Sequence, residues 1–138
     1  MKKKFSEIRV RDILLVDFPA QEPGNHLQSG RRPALVIFIP KPEILGTPRF
    51  SFIEVVPISK FSEERKWWVE KSPVFYPVFP RGTGSLSYDS IFLLDQARPV
   101  YSNQIVKYLG QLDFDEYNVI FKNILIIQKS KNLSRVSK

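Results

Sequence analysis

Apolar positions fall into short runs separated by turn-forming stretches. Asp12 to Phe18 (DILLVDF) is an apolar run with polar ends, and the PAQEPGNHLQSG after it is dense in turn formers, so the pattern predicts a strand and then a loop. Arg32 to Ile39 (RPALVIFI) is continuously apolar, partly β-branched and bounded by Pro33 and Pro40, which fits a strand buried on both faces. Residues 50 to 58, FSFIEVVPI, make a third strand, and KPEILGTPR between the two is a Pro/Gly loop. If these strands form an antiparallel hairpin without a bulge, paired residue numbers sum to about 91 and Arg32 falls opposite Ser59. A slip of one residue would turn every side chain to the other face.

The stretch from Lys60 to Ser87 holds adjacent tryptophans, Trp67 and Trp68, and then SPVFYPVFPRGTGS, whose prolines confine it to an edge strand or an extended loop. Asp89 to Val100 (DSIFLLDQARPV) reads as one buried strand with polar insertions beginning at Asp95. A single helix is expected, near the end, where Asp113 with Glu116 forms a capping-box start. Tyr117, Ile120, Phe121, Ile124 and Leu125 follow with the spacing of one buried helical face. Strands dominate and no helices alternate with them. The pattern therefore predicts a mainly β fold, a small curved barrel with a C-terminal helix. One domain is expected over residues 11–128, flanked by a basic arm at 1–10 and a basic tail at 129–138.

Composition narrows the chemistry. With 138 residues, no cysteine and one histidine, the chain has neither a disulfide framework nor a Cys or His cluster for zinc, so no metal ion or other cofactor is expected. The net charge of +7 invites a nucleic-acid reading. Its distribution weakens that invitation: residues 1–11 and 128–138 carry +4 each, and residues 12–127 carry −1. Within the body, residues 31–81 hold nine basic and five acidic side chains. Neither an export signal nor a membrane span is visible, and a cytoplasmic protein without a membrane partner is expected.

Three segments bring polar groups to the ends of apolar strands: HLQSGRRP at 26–33, PIS at 57–59 and LDQAR at 94–98. Together with DILLVDF at 12–18, GNHLQSGRRPALVI at 24–37, VVPIS at 55–59, DSIFLLDQARPV at 89–100 and GQL at 110–112, in that order, the chain resembles the MazF/PemK family of endoribonuclease toxins. The resemblance implies an SH3-like barrel, a homodimer and metal-independent, sequence-selective cleavage of single-stranded RNA. It also implies a cognate antitoxin, acidic and partly disordered, that occupies the RNA groove.

By the same resemblance the catalytic positions are Arg32, Ser59 and Asp95, with His26, Gln28, Arg31, Gln96 and Arg98 binding substrate. The residue types suit the chemistry. Cleaving RNA without metal requires a deprotonated 2′-hydroxyl, a protonated leaving 5′-oxygen and stabilised charge on phosphorus. The planar fork of Arg32 suits a clamp on two phosphate oxygens. Asp95 is a candidate base, Ser59 a donor to a phosphate oxygen, and His26, with an ordinary pKa of about 6.5, suits either proton transfer. Trp67 and Trp68 read as core or dimer-interface residues, with base stacking as the alternative. Leu27 stands where many relatives carry an acid and Leu93 where some carry an arginine, which keeps open a second reading: a catalytically inactive barrel that binds RNA or a protein partner.

Overall fold

The structure, a computed structural model, describes residues 3–20, 30–41 and 52–131. Strands β1 (Asp12–Phe18), β2 (Gly30–Phe38) and β3 (Phe52–Lys60) are followed by a short helix α1 (Lys66–Lys71). Then come β4 (Val78–Phe79), β5 (Ser90–Phe92), β6 (Arg98–Tyr101), β7 (Ile105–Gln111) and the terminal helix α2 (Phe114–Ser130). One antiparallel sheet runs β4-β5-β3-β2-β1-β7, with β6 also on β3. The class is mainly β with a C-terminal helix, as expected. The sheet is open, because β4 and β7 end the path without pairing with each other.

The continuous apolar runs of β1 to β3 follow from burial on both faces. Ile13, Leu35, Val56 and Ile58 join Phe92, Leu112 and Ile120 in one core beneath α2. Their alternates Leu14, Val16, Ala34, Val36, Ile53 and Val55 form a second core with Ile8 and Val100. Burial on two faces, at about 25 cal/mol per Å² of apolar surface, stabilises this three-stranded centre from both sides. The hairpin pairs Ala34 with Pro57, Leu35 with Val56 and Val36 with Val55, the register read from the sequence. A bulge then shifts the pairing to Phe38 with Glu54, away from the Arg32 end.

Several elements differ from expectation. Residues 89–100 are two strands. Both pair with one edge of β3, at Ile58 with Phe92 and at Val55 with Arg98, so three positions along β3 are matched by six along this segment. The three surplus residues, Leu94–Gln96, leave the ladder as a 3₁₀ turn. Helix α1 was not foreseen, because six residues without a side-chain N-cap are too short to show a helical period. Strand β7 was not read as a strand either. It is held by β1 through a ladder broken twice by irregularities, which blurs any alternation. In α2 the capping box forms, with Asp113 Oδ1 accepting from Glu116 N at 2.7 Å and Glu116 Oε1 accepting from Asp113 N at 2.9 Å. Its buried face is Ile120 and Ile127 with Tyr117 and Ile124 beside them, whereas Phe121 and Leu125, expected inside, are exposed.

Residues 3–11 are fastened to the sheet. Lys3 Nζ lies 2.9 Å from the fully buried Asp12 carboxylate, which also accepts from Arg9 N at 2.8 Å and Gln111 Nε2 at 3.0 Å. Arg11 donates to Leu112 O at 2.9 Å and covers the Phe114 ring at 3.8 Å.

Candidate functional site

The end of β3 carries Ser59 between β2 and β5, with Ile91 as its cross-strand partner on β5. Arg32 enters from the start of β2, and the 3₁₀ turn Glu63–Arg65 ahead of α1 brings Arg65 back over the same place. A cleft of about 240 Å³ results, lined by Arg32, Ser59, Lys60, Ser62, Arg65 and Tyr88. The Arg32–Ser59 juxtaposition drawn from the hairpin register is therefore present. Ser59 is only 1% exposed, and its Oγ accepts from Arg65 Nη1, which also donates to Lys60 O at 3.2 Å. A hydroxyl that accepts in this way keeps its one proton for another acceptor. Among the described residues, three cations, three hydroxyls and no carboxylate line the cleft, a composition suited to an anion with several acceptor oxygens.

A second cleft, of about 430 Å³, lies next to it and is lined by Trp67, Trp68, Lys71, Ser72, Tyr76 and Gln96. Arg65 joins the two, since its guanidinium sits 5.8 Å from the centroid of the Trp68 ring. Trp68 in turn lies 6.0 Å edge-on from Trp67 and 6.1 Å from Tyr76. Trp67 is 59% exposed and Trp68 half-buried, so neither belongs to the core of the chain, the first of the two places expected for the pair. The 3₁₀ turn Leu94–Gln96 supplies the opposite wall: Leu94 N donates to Phe75 O at 3.0 Å, and Gln96 is buried. Asp95 accepts from the Tyr76 phenol at 2.6 Å. The Tyr76 pKa is pushed up to about 12, first by burial and then by the hydrogen bond and charge of Asp95.

The remaining expected residues are spread more widely. Asp95 is exposed on the rim of the aromatic cleft and does not line the cationic one. Arg98 is half-buried on β6 and stacks 4.3 Å over the Phe18 ring, with burial lowering its pKa. Arg31 is exposed and sits opposite Asp17 on β1. His26, Leu27 and Gln28 lie outside the described residues. Glu54 lines a groove beside α2 with Phe38, Phe121 and Leu125. Sequence reasoning missed Arg65. The available signal was its place three residues before Trp68, the spacing that sets neighbours on one helical face.

Residues 9–127 match the family described as PemK-like, MazF-like toxin of type II toxin–antitoxin system. Among solved structures, a MazF from Deinococcus radiodurans is 17% identical, with 87% of this chain and 94% of that one covered at a TM-score of 0.61. The Mycobacterium tuberculosis toxin MazF-mt6 is 14% identical, with 88% and 99% covered and a TM-score of 0.57. A mycobacterial endoribonuclease in complex with its cognate antitoxin is 11% identical, with 88% and 94% covered and a TM-score of 0.57. At these identities the likeness is one of fold. Curated protein sequences offer no match.

Proposed function

The chain belongs to the PemK-like, MazF-like family of type II toxins, known as endoribonucleases, and from that premise we propose that it is a metal-independent, sequence-selective nuclease of single-stranded RNA. The observation that carries the reading is the cationic cleft at the end of β3, where Arg32, Lys60 and Arg65 surround the buried Ser59 hydroxyl. Such a cleft neutralises a phosphodiester with protein charges alone.

In the proposed reaction the 2′-oxygen attacks phosphorus and the new 2′-O–P bond replaces the bond to the 5′-oxygen, which takes up a proton and leaves as a 5′-hydroxyl; the other end is a 2′,3′-cyclic phosphate or the 3′-phosphate that water makes from it. Arg32 clamps two non-bridging oxygens as charge builds on them, and Ser59, polarised by Arg65, donates to one. Asp95 is the proposed acceptor of the 2′-hydroxyl proton, oriented by Tyr76. His26 is the other group suited to proton transfer near neutral pH. Gln28, Arg31, Gln96 and Arg98 are proposed to contact the RNA on either side. A cytoplasmic homodimer is proposed, with the exposed Phe121 and Leu125 of α2 as apolar surface available to a second copy. An acidic, partly disordered antitoxin segment would compete for the cationic cleft; the mycobacterial neighbour was solved with its antitoxin.

Cleavage of single-stranded RNA by purified protein in the presence of a chelator tests the reading. Wild type is expected to cut at defined sites and leave 5′-hydroxyl ends, and Arg32→Ala to abolish cutting while keeping the wild-type circular dichroism spectrum. An Arg32→Ala protein that cuts at the wild-type rate overturns the mechanism. The non-catalytic reading draws on one observation: among the described residues, no carboxylate lines the cationic cleft. Healthy growth with intact RNA when the chain is expressed alone would favour it.

A further inference from the structure

The aromatic cleft has features the cleavage chemistry does not use. Trp67 presents more than half of its surface to solvent on a helix whose residues are all at least partly exposed, so packing does not account for it. Trp68 and Tyr76 stand beside it as a second and third π face, and Lys71, Ser72 and buried Gln96 place hydrogen-bonding groups around the rim. The volume of about 430 Å³ falls within the range of roughly 300–1,000 Å³ typical of small-ligand sites. Among the described residues its lining carries one cation and no acid, and the nearby Asp95 carboxylate is engaged by the Tyr76 hydroxyl.

Continuity with the cationic cleft decides among occupants. Arg65 links them: it lines the cationic cleft and donates to Ser59, and its guanidinium lies 5.8 Å from the ring centroid of Trp68, which lines the aromatic one. A single-stranded polynucleotide has this alternation, an anionic phosphate followed by a flat base, and stacking platforms beside cationic tracks are how proteins hold it. An apolar peptide would match the tryptophans but not the adjoining cations.

We propose that Trp67, Trp68 and Tyr76 form a base-stacking subsite that holds the nucleobase next to the phosphate bound by Arg32 and Arg65. The inference rests on the RNA-cleaving function proposed above and adds a base-binding role to Trp67 and Trp68, which take no part in its chemistry, and to Tyr76, which in that chemistry orients Asp95. The two tryptophans anchor substrate and leave the bond-breaking step to Arg32, Ser59 and Asp95, so their loss raises KM far more than it lowers kcat.

The chain contains two tryptophans, and both line this cleft, so intrinsic tryptophan fluorescence reports on it alone. The probe is a 2′-O-methyl RNA oligonucleotide carrying the mapped cleavage sequence, compared with versions abasic at the nucleotide on either side of the scissile phosphate. Wild type is expected to be quenched on binding, with the quench lost for one abasic version. Trp67→Ala should raise Kd and KM roughly 5- to 150-fold with kcat within about threefold, and Trp67→Phe should recover most of the loss. Circular dichroism confirms folding, and Trp67 is suited to truncation because it is exposed. Trp67→Ala with unchanged KM, or binding without quench by a wild-type protein that cleaves RNA, overturns the subsite and leaves the nuclease reading standing. Quench by an antitoxin peptide but not by the oligonucleotide assigns the cleft to protein binding and also overturns it. A wild-type protein that neither binds nor cuts RNA overturns both.

Discussion

Tyr76 and Asp95 show how one side-chain pair ties stability to the site. The phenol is neutral when it donates to the Asp95 carboxylate, and both burial and that neighbouring charge oppose its ionisation. In the unfolded chain it loses its proton near 10.0, while in the fold it holds it up to about 12. Between those values the folded state binds more protons than the unfolded one. This contribution to stability is therefore complete below pH 10 and is lost as pH rises toward 12. A phenolate absorbance titration, assigned by difference from Tyr76→Phe, should find Tyr76 ionising well above ordinary tyrosines. Asp95→Asn should lower its pKa, though not fully to the ordinary value, since burial is the larger cause; an unchanged titration would show that the hydrogen bond does not form in solution. This pairing was not legible in the sequence, because Tyr76 and Asp95 meet only through the three residues that leave the β3 ladder. Arg32 and Ser59 were legible, because regular antiparallel register carries one residue number to another by simple counting.

Elements that were readable are those whose packing imposes a long period on the sequence. Strands β1 to β3 each feed two cores, and α2 announces itself with a capping box and a repeating apolar face. Elements held by a few contacts gave no such signal: α1 has six residues and β4 two. Strand β7 illustrates a further constraint that periodicity does not report. Gly110 passes so close to the Thr83–Ser85 turn that a Cβ there would overlap the carbonyl of Gly84 and press on Ser85 Cβ. Gly84 itself adopts φ 57°, a left-handed conformation, and sits against Ile13 and Leu112 of the core. Gly110→Ala forces backbone against backbone, an overpacking that typically costs about 1–3 kcal/mol. Thermal unfolding should show a Tm lower by several degrees with the structure otherwise retained; an unchanged Tm would mean that the turn moves away freely.

Charge acts at the scale of the whole molecule, and the fold redistributes what composition suggested. The positive N-terminal residues looked available for polyanion binding, yet Lys3 is paired with buried Asp12, and Arg11 is held by the Leu112 carbonyl and the Phe114 ring. The cations that converge on one cleft are Arg32, Lys60 and Arg65, drawn together from two strands and a turn. Net charge is thus a poor guide here and placement a good one. Each phosphate neutralised on a single strand contributes about −0.7 to the slope of log K against log salt concentration. Anisotropy titrations with a fluorescent non-cleavable oligonucleotide, from low to moderate salt, should therefore show the slope reduced by about 0.7 in each of Arg32→Ala, Lys60→Ala and Arg65→Ala. Lys3→Gln and Arg11→Gln should leave it unchanged, even if they lower the melting temperature. Equal reductions in both groups would place the RNA across the N-terminal face and away from Ser59.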